Sequence, residues 1–258
     1  MIPFNVKEFM QSGAFICGSR QAAGKTNLAK QIVELLLKDG IVIHILDSSK
    51  AWNEFVLPII KIPFDFKTIN IDFAQSQVVD LSELTHGQRI SVVNQVAKAV
   101  YDDHVRNGNT TPEALILEEA QTYVFNGCSR TKDTFDAIMD YLTIGGNFNL
   151  SFILITQFPA LVDKSFVKAT QQRYFGISSE KNDTSYIKGF IENEDSKRLK
   201  QQLGISGSAF ITKFLQRGQF VYQNRGRVEV FTCQKYVPTR IEQKPYFTMS
   251  VSYGAQPL

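Results

Sequence analysis

Short apolar runs alternate with amphipathic stretches along most of the chain, and this alternation is typical of a mostly parallel sheet covered by helices. Runs of strand length lie at residues 14–19, 41–47, 114–117, 152–156 and 173–177. Two later runs, at 220–222 and 228–232, flank a turn that contains Gly226 and predict an antiparallel hairpin. The pattern therefore predicts an α/β fold that ends in a hairpin.

Apolar residues at helical spacing lie between these strands. One set runs from Leu28 to Leu36 and stops before Gly40, a residue type that commonly follows the last turn of a helix. Further sets lie at 90–100 and 135–142, and the periodicity is lost after about residue 244. We therefore predict one domain over residues 1–243 and a C-terminal extension over residues 244–258.

The segment AFICGSRQAAGKTNLA combines an apolar strand, a loop of small residues and the start of a helix. Such a loop directs several backbone N–H groups towards one point, so the segment predicts a phosphate-binding loop of the Walker A type. Lys25 is placed to reach the β- and γ-phosphates of ATP, and Thr26 to offer its hydroxyl to Mg²⁺. The predicted nucleotide-binding residues are Ser19, Arg20, Gln21, Ala22, Ala23, Gly24, Lys25, Thr26 and Asn27.

This loop departs from the usual spacing in two ways. Gly18 lies one residue too early, so that Ser19 occupies the expected glycine position, and Ala23 stands where glycine or serine is common. Because Ala and Ser still present backbone N–H groups, we interpret the segment as a variant phosphate loop. The alternative, a turn that reads Gly-Lys-Thr by chance, is disfavoured by the strand before it and the helix after it.

Two further apolar runs end in polar side chains that suit the chemistry of phosphate hydrolysis. The run ALILEEAQ ends in Glu118 and Glu119, and in nucleoside triphosphatases such a Walker B pair orders Mg²⁺ and polarises the attacking water. We assign the metal to Glu118 and the water to Glu119. The run SFILITQ ends in Gln157, which is placed to contact the γ-phosphate or the water. Solvated strand ends are the alternative interpretation of all three.

Composition narrows the class of protein without fixing it. No apolar run approaches the roughly 18–20 residues of a membrane span, and the N-terminus lacks the features of a signal peptide. Three widely spaced cysteines predict a reducing, cytoplasmic location. Residues 1–160 have a net charge of −4 and residues 161–258 a net charge of +7, so the C-terminal part suits either a nucleic-acid partner or a solvated basic surface.

Four pieces in order resemble the HerA/FtsK superfamily of DNA-pumping ATPases. They are the loop ending in Gly24-Lys25-Thr26, the run IVIHILD, the run LILEEAQ, and GGNFNLSFILITQFPALVD. The resemblance implies a RecA-like P-loop core, a ring of six subunits and ATP-driven movement of double-stranded DNA. It carries over Lys25 and Thr26 as nucleotide and metal contacts, Glu119 as the base and Gln157 as the sensor.

The resemblance also implies an arginine that one subunit supplies to its neighbour's site. Many relatives have an arginine just before the sensor strand, where this chain has Gly146. Arg173 is our first candidate for this role and Arg130 our second. The compact length resembles the genome-packaging ATPases of viruses, which implies a capsid or portal vertex protein as a further partner and a location in the host cytoplasm or the virion.

Two other functions are compatible with the same motifs. The chain would be an ATP-switched replication initiator if residues 178–218 formed a DNA-reading domain, although GISGSAFITKF is a poor match to a recognition helix. It would be a structural ring subunit if the altered loop had lost activity, although Lys25, Thr26 and Glu119 are retained. Strong stimulation of ATP hydrolysis by double-stranded DNA supports the motor, and slow unstimulated turnover supports the switch.

Overall fold

A computed structural model describes residues 2–19, 23–66, 69, 72, 74–126, 140 and 144–238. The described strands, numbered along the chain, are β1 Ala14–Cys17, β2 Val42–Asp47, β3 Ile59–Lys61, β4 Gln77–Asp80, β5 Glu113–Leu117, β6 Leu150–Thr156, β7 Gln172–Gly176, β8 Gln219–Asn224 and β9 Arg227–Thr232. The described helices are α1 Val6–Ser12, α2 Lys25–Lys38, α3 His86–Asn107, α4 Lys164–Ala169, α5 Lys181–Lys188, α6 Asn193–Leu203 and α7 Ser208–Phe214. Short 3-10 helices lie at Ala120–Thr122, Gly145–Phe148 and Pro159–Leu161.

The nine strands form one sheet in the order β3-β4-β2-β5-β6-β1-β7-β8-β9. Strands β1 to β7 pair in parallel, and β8 and β9 add an antiparallel hairpin at one edge. The first strand of the chain is central, because Ala14 pairs with Ile153 of β6 on one side and with Gln172 of β7 on the other. The predicted α/β class, with a mostly parallel sheet and a late hairpin, is confirmed.

All five predicted parallel strands and both hairpin strands are present, but β3 and β4 were missed. The ends of the predicted strands differ from the observed ends by one or two residues; β1, for example, ends at Cys17 because Gly18 and Ser19 already belong to the loop that follows. Strand β3 has three residues, and β4 reads Gln-Val-Val-Asp. Neither has an apolar run of its own, so pairing with β2 and with each other creates them.

Helices cover both faces of the sheet, and the alternation of side chains along each strand divides the core into two layers. In β1, Phe15 belongs to the layer under α3, which includes Val92 and Val96. The next residue, Ile16, belongs to the layer under α2, which includes Leu28 and other apolar residues of that helix. Helix α2 is followed by Gly40, whose φ of 77° gives the left-handed backbone expected after a helix end.

Residues 178–218, considered above as room for a DNA-reading domain, contain three short helices, α5, α6 and α7. Helices α5 and α7 pack on each other, α5 also contacts residues 159–161, and α6 packs on β9. The predicted helix at 135–142, apart from residue 140, and the extension at 244–258 lie outside the described residues. Among the described helices, none has both the length and the apolar character needed to cross a bilayer.

Three buried ionisable side chains that are far apart in sequence meet at the amino end of β5. His44 of β2 approaches Glu113 of β5 with its Nε2 3.4 Å from Oε2, and His104 of α3 approaches it with its Nε2 3.1 Å from Oε1. The side chains are at most 1% exposed. Asn109 donates a further hydrogen bond to Glu113 Oε1. The cluster therefore joins β2, β5 and the end of α3 inside the protein.

The partners of each ring nitrogen indicate how the protons of this cluster are distributed. His104 Nδ1 lies 2.7 Å from the carbonyl oxygen of Phe148, which only accepts, so both nitrogens of His104 donate and the ring is protonated. His44 Nδ1 lies 3.1 Å from the side-chain amide nitrogen of Gln77. Glu113 thus pairs with the imidazolium of His104.

The pKa shifts agree with this assignment. Burial alone would lower the pKa of His104, but the hydrogen bond to Glu113 and the carbonyl of Phe148 outweigh it and raise the pKa. Burial alone would raise the pKa of Glu113, but hydrogen bonds from His104 and His44 lower it. His104 therefore contributes stability below its unfolded pKa of about 6.5, and this contribution is lost as pH rises through the raised pKa of the folded state.

We predict that Glu113→Gln lowers the free energy of unfolding by about 3 kcal/mol near pH 6, because it leaves a buried imidazole without its acidic partner. The difference between wild type and variant should shrink towards pH 9, where the His104 contribution has gone. Denaturant midpoints across this pH range measure both effects. Glu83→Gln is the matched control, because that carboxylate is exposed beside Lys50 and should change the midpoint little. A pH-independent difference would contradict the assigned protonation.

Candidate active site

The predicted phosphate loop joins the carboxyl end of β1 to the first turn of α2. Lys25 Nζ donates to the carbonyl oxygen of Ser19 at 3.3 Å, so the lysine side chain folds back over the loop. Gly24 has a left-handed backbone with φ of 77° where the loop turns into the helix. Arg20, Gln21 and Ala22 lie outside the described residues.

The unusual glycine spacing of the loop has a packing explanation. Ala23 is fully buried. A Cβ added to Gly18 would lie 2.6 Å from the Cβ of Ala23, and a Cβ added to Gly176 would lie 2.9 Å from it. Gly18 and Gly176 therefore leave the space that the Ala23 methyl group fills. The backbone N–H of Ser19 donates to the carbonyl oxygen of Ile177 at 2.7 Å, which ties the start of the loop to the end of β7.

The loop meets the acidic pair through one hydrogen bond. Thr26 Oγ1 donates to Glu118 Oε1 at 2.8 Å, although the two residues are 92 positions apart in the chain. Glu118 is 4% exposed. Burial raises the pKa of Glu118 to about 7, and the hydrogen bond from Thr26 acts in the opposite direction. Burial likewise lowers the pKa of Lys25, against the attraction of Glu118 and Glu119.

The second carboxylate of the pair faces a different set of partners. Glu119 has a left-handed backbone, with φ of 54° and ψ of 48°, at the junction of β5 with the short helix Ala120–Thr122. Its Oε1 accepts a hydrogen bond from Gln157 Nε2 at 2.8 Å, and its Oε2 accepts one from Gln121 Nε2 at 2.7 Å. Thr156 Oγ1 donates to Gln121 Oε1 at 2.6 Å, which fixes the amide of Gln121. Strand β6 lies next to β5, so Gln157 follows the strand beside the acidic one.

Gln121 and Trp52 are the residues of this site that sequence reasoning missed. Gln121 stands inside the quoted run LILEEAQ, and its position three residues after Glu118 was the available signal. Trp52 is fully buried. Its Nε1 also donates to Glu118 Oε1 at 3.3 Å, a contact for which the sequence holds no signal.

Asn27, predicted to contact the nucleotide, binds the segment that follows β9. Its side-chain amide donates to the carbonyl oxygen of Gln234 at 2.7 Å and to Cys233 Sγ at 3.1 Å, and its Oδ1 accepts from the backbone N–H of Tyr236. Gln31, one turn further along α2, donates to the same carbonyl oxygen at 2.6 Å. The first turns of α2 are therefore tied to residues 233–236, and a nucleotide contact of Asn27 stays a prediction.

Arg173 lies away from this edge of the sheet, near the amino end of β7. Its Nε donates to the carbonyl oxygens of Val167 and Thr170, and its Nη2 to that of Lys168, so it binds the end of α4. Its Nη1 donates to Gln223 at 3.1 Å. To act in a neighbouring subunit's nucleotide site, the guanidinium would have to leave these partners and contact a phosphate. This role of Arg173 stays a prediction.

Gly146 and Arg130 are the two other positions that bear on this arginine. A Cβ on Gly146 would lie 3.0 Å from the carbonyl oxygen of Gln11, so contact with the end of α1 explains why a larger residue is disfavoured there. Arg130 lies outside the described residues.

The donor set suits magnesium bound together with a nucleotide. Mg²⁺ prefers oxygen ligands and is held in such sites by one or two protein groups plus phosphate oxygens. The Thr26 hydroxyl and Glu118 carboxylate are in contact and supply ligands of this type. Within the described ranges, no group of three or more His, Cys, Asp or Glu side chains could hold a metal by itself. The protein groups therefore fit a metal that arrives with the phosphates.

We predict that Gly176→Ala lowers the free energy of unfolding by about 1–3 kcal/mol, because the added methyl group would overlap the Ala23 Cβ. Combining it with Ala23→Gly should recover part of the loss. Thermal or denaturant unfolding measures both variants. Gly87→Ala is the control, because a Cβ there would meet no atom within 4 Å. If Gly176→Ala unfolded like wild type, the packing explanation of the loop would be wrong.

Comparison with solved structures relates this architecture to known ATPases. The genome packaging NTPase B204 of Sulfolobus turreted icosahedral virus 2, in complex with AMPPCP, matches 88% of this chain and 100% of its own with a TM-score of 0.62 and 17% identity. VirB4 of Thermoanaerobacter pseudethanolicus matches 87% of this chain and 90% of its own with a TM-score of 0.64 and 10% identity.

A third structure extends the comparison to a longer protein. The pCW3 conjugation coupling protein TcpA, with ATPγS, matches 87% of this chain and 60% of its own with a TM-score of 0.54 and 13% identity. No protein-family profile and no curated protein matches the sequence. This chain thus shares its fold with a viral genome-packaging NTPase, with VirB4 and with a conjugation coupling protein.

Proposed function

We propose that this chain is an ATPase motor that hydrolyses ATP with Mg²⁺ and moves double-stranded DNA, in the packaging of a viral genome. The observation that carries the proposal is the hydrogen bond from Thr26 to Glu118, because it joins the phosphate loop to the acidic pair. A loop that resembled a phosphate site by chance would have no reason to meet a buried carboxylate from another strand. The fold that this chain shares with a nucleotide-bound genome-packaging NTPase and a nucleotide-bound conjugation coupling protein supports the same function.

The roles of the phosphate-binding residues follow from their positions. Lys25, folded over the loop, neutralises charge on the β- and γ-phosphates. Thr26 and Glu118 hold Mg²⁺, which when bound neutralises charge on the same phosphates. A metal beside Glu118 also favours the ionised carboxylate that burial alone disfavours. Ala23 and Gly24 supply backbone N–H groups to the phosphates, whereas nucleotide contacts of Ser19, Arg20, Gln21 and Ala22 stay predictions.

Glu119 is held in a way that suits a general base for water. Each of its oxygens accepts one amide hydrogen bond, from Gln157 or Gln121, and a carboxylate oxygen has a second lone pair for another donor. The two amides fix the carboxylate, so a water bound to it would be oriented before reaction. Gln157 connects this base to the strand end next to β5. We assign Glu119 as the base, Gln157 as the sensor and Gln121 as a positioning residue.

DNA is the proposed substrate of movement because the fold and the charge both favour it. The similar structures include a genome-packaging NTPase and a conjugation coupling protein, and residues 161–258 carry a net charge of +7. We further propose that copies of the chain assemble into a ring, with six subunits as the expected number. The mass of the assembly in solution tests this proposal. A capsid or portal vertex protein would be the docking partner of such a ring.

We predict that Glu119→Gln lowers ATP turnover by about two to four orders of magnitude, the usual scale for loss of a general base, while ATP binding is retained. The amide keeps the shape of the side chain but lacks the basic lone pair. Lys25→Ala is the contrasting variant and should lose binding and turnover together. Phosphate release and calorimetric binding of a non-hydrolysable analogue separate the two effects. Wild-type turnover in Lys25→Ala would mean that the site is elsewhere.

We predict that duplexes of unrelated sequence stimulate ATP turnover about equally and bind with an affinity that falls steeply with salt. The reason is that a motor grips the phosphate backbone, and each neutralised phosphate adds about −0.9 to the slope of log affinity against log salt. Fluorescence anisotropy of labelled duplexes at several salt concentrations measures the slope. Tight binding of a single sequence that persists at high salt, with slow unstimulated turnover, would favour the replication initiator.

A further inference from the structure

Trp52 occupies an unusual place for an aromatic side chain, because its polar edge reaches the acidic pair. The indole is fully buried, and its Nε1 donates to Glu118 Oε1 at 3.3 Å. The same oxygen accepts from Thr26 Oγ1 at 2.8 Å. Thr26 lies after β1 and Trp52 lies after β2, so Glu118 is held by two donors that do not belong to its own strand.

The turn after β2 fixes the indole in this position. Asp47, the last residue of β2, is 1% exposed, and its Oδ1 accepts from the backbone N–H and the hydroxyl of Ser49. Its Oδ2 accepts from the backbone N–H of Trp52 at 2.9 Å. Phe55 packs against the indole edge-on with ring centroids 5.1 Å apart, and Lys30 Nζ lies 5.9 Å from the indole ring. The hydrogen bond from Trp52 N–H to Asp47 fixes the backbone that carries the indole, and Phe55 only covers the ring.

The two donors to Glu118 differ chemically. The threonine hydroxyl has lone pairs that can bind a metal, and its proton can rotate to another acceptor. The indole N–H has no accepting lone pair and cannot bind a cation, so it can only hold the carboxylate. A donor that stays on Glu118 while Thr26 changes partner would keep the carboxylate orientation unchanged when metal arrives.

We propose that Trp52 is the positioning residue of the magnesium site, holding Glu118 in the orientation in which the carboxylate and the Thr26 hydroxyl share the metal. This inference rests on the proposed ATPase function. It assigns to the segment after β2 a role in metal affinity, separate from the phosphate contacts of the loop. Asp47 acts one step further away, by fixing the backbone that carries the indole.

The test replaces Trp52 by Phe, which keeps an aromatic ring but removes the N–H donor. Loss of one hydrogen bond to a carboxylate should raise the Mg²⁺ concentration for half-maximal ATP turnover by about threefold to tenfold. Turnover at saturating Mg²⁺ and affinity for ATP in chelator should stay within about twofold of wild type, since the ring and the phosphate loop remain. Calorimetric titration of Mg²⁺ into the complex with a non-hydrolysable analogue should show the same shift without any reaction.

Phe55→Leu is the matched control, because Phe55 packs on Trp52 but has no polar atom to offer. It should lower thermal stability and leave the Mg²⁺ dependence unchanged. Equal shifts in both variants, or a wild-type titration in Trp52→Phe, would overturn the proposal. If wild type hydrolysed ATP slowly and Lys25→Ala did so at the same rate, the proposed ATPase function itself would be wrong. The two failures are therefore distinguishable.

A second measurement uses wild-type protein and does not depend on how the Trp52→Phe variant folds. Trp52 is the only tryptophan of the chain, so all indole fluorescence reports on this position. In wild type, Mg²⁺ added to the analogue complex should change the emission with the same half-saturation as calorimetry, and Glu118→Gln should reduce that change. If calorimetry detected Mg²⁺ binding while the indole emission stayed constant, the indole would not be coupled to the metal site, and the proposal would be wrong.

Discussion

The hydrogen bond between Thr26 and Glu118 is the contact on which the candidate site depends, and it exists because parallel strands end at one edge of the sheet. Strands β1, β6 and β5 are neighbours in the sheet in that order. The residues that follow them therefore converge, although β1 ends at residue 17 and β6 at residue 156. The loop after β1, the acidic pair after β5 and Gln157 after β6 therefore meet without any long-range loop. Ligands commonly bind at this edge in open α/β sheets.

Burial gives this convergence its chemical character. Glu118 is nearly inaccessible, so its charge is costly unless a cation or a set of donors compensates for it. Glu119, one residue later, is less buried and is held by two side-chain amides. The left-handed backbone at Glu119 separates the environments of two adjacent carboxylates. A single backbone turn thus allows one residue type to serve two tasks.

Much of this arrangement could be predicted from the sequence, because strong local patterns mark the central strands and the loop. Strand β1 and the stretches 114–117 of β5 and 152–155 of β6 are apolar, since these strands are covered on both faces, and the residues of the site follow them. The short strands β3 and β4 lack such a pattern because they depend on pairing with neighbours. The buried meeting of His44, Glu113 and His104 has no local signal, since it depends on how three elements pack.

The same limit applies to side-chain partners inside the site. That Gln121 contacts Glu119 follows from the short helix after β5, but the donor role of Trp52 follows from the turn fixed by Asp47. The odd glycine spacing of the loop was a departure from a motif in the sequence and became interpretable only when Gly176, on another strand, was seen to face Ala23. Motifs identify residues that act on a ligand, whereas the residues that hold them in place come from packing.

The central position of β1 has a consequence for the order in which the protein is made. A ribosome releases β1 early, but its two partners, β6 and β7, are encoded more than 130 residues later. Until these strands emerge, the nascent β1 has no sheet to enter, and its apolar residues have no core to fill. The contacts of Asn27 with residues 234 and 236 require still more of the chain. The phosphate loop, although translated among the first parts of the protein, is therefore among the last to acquire its final surroundings.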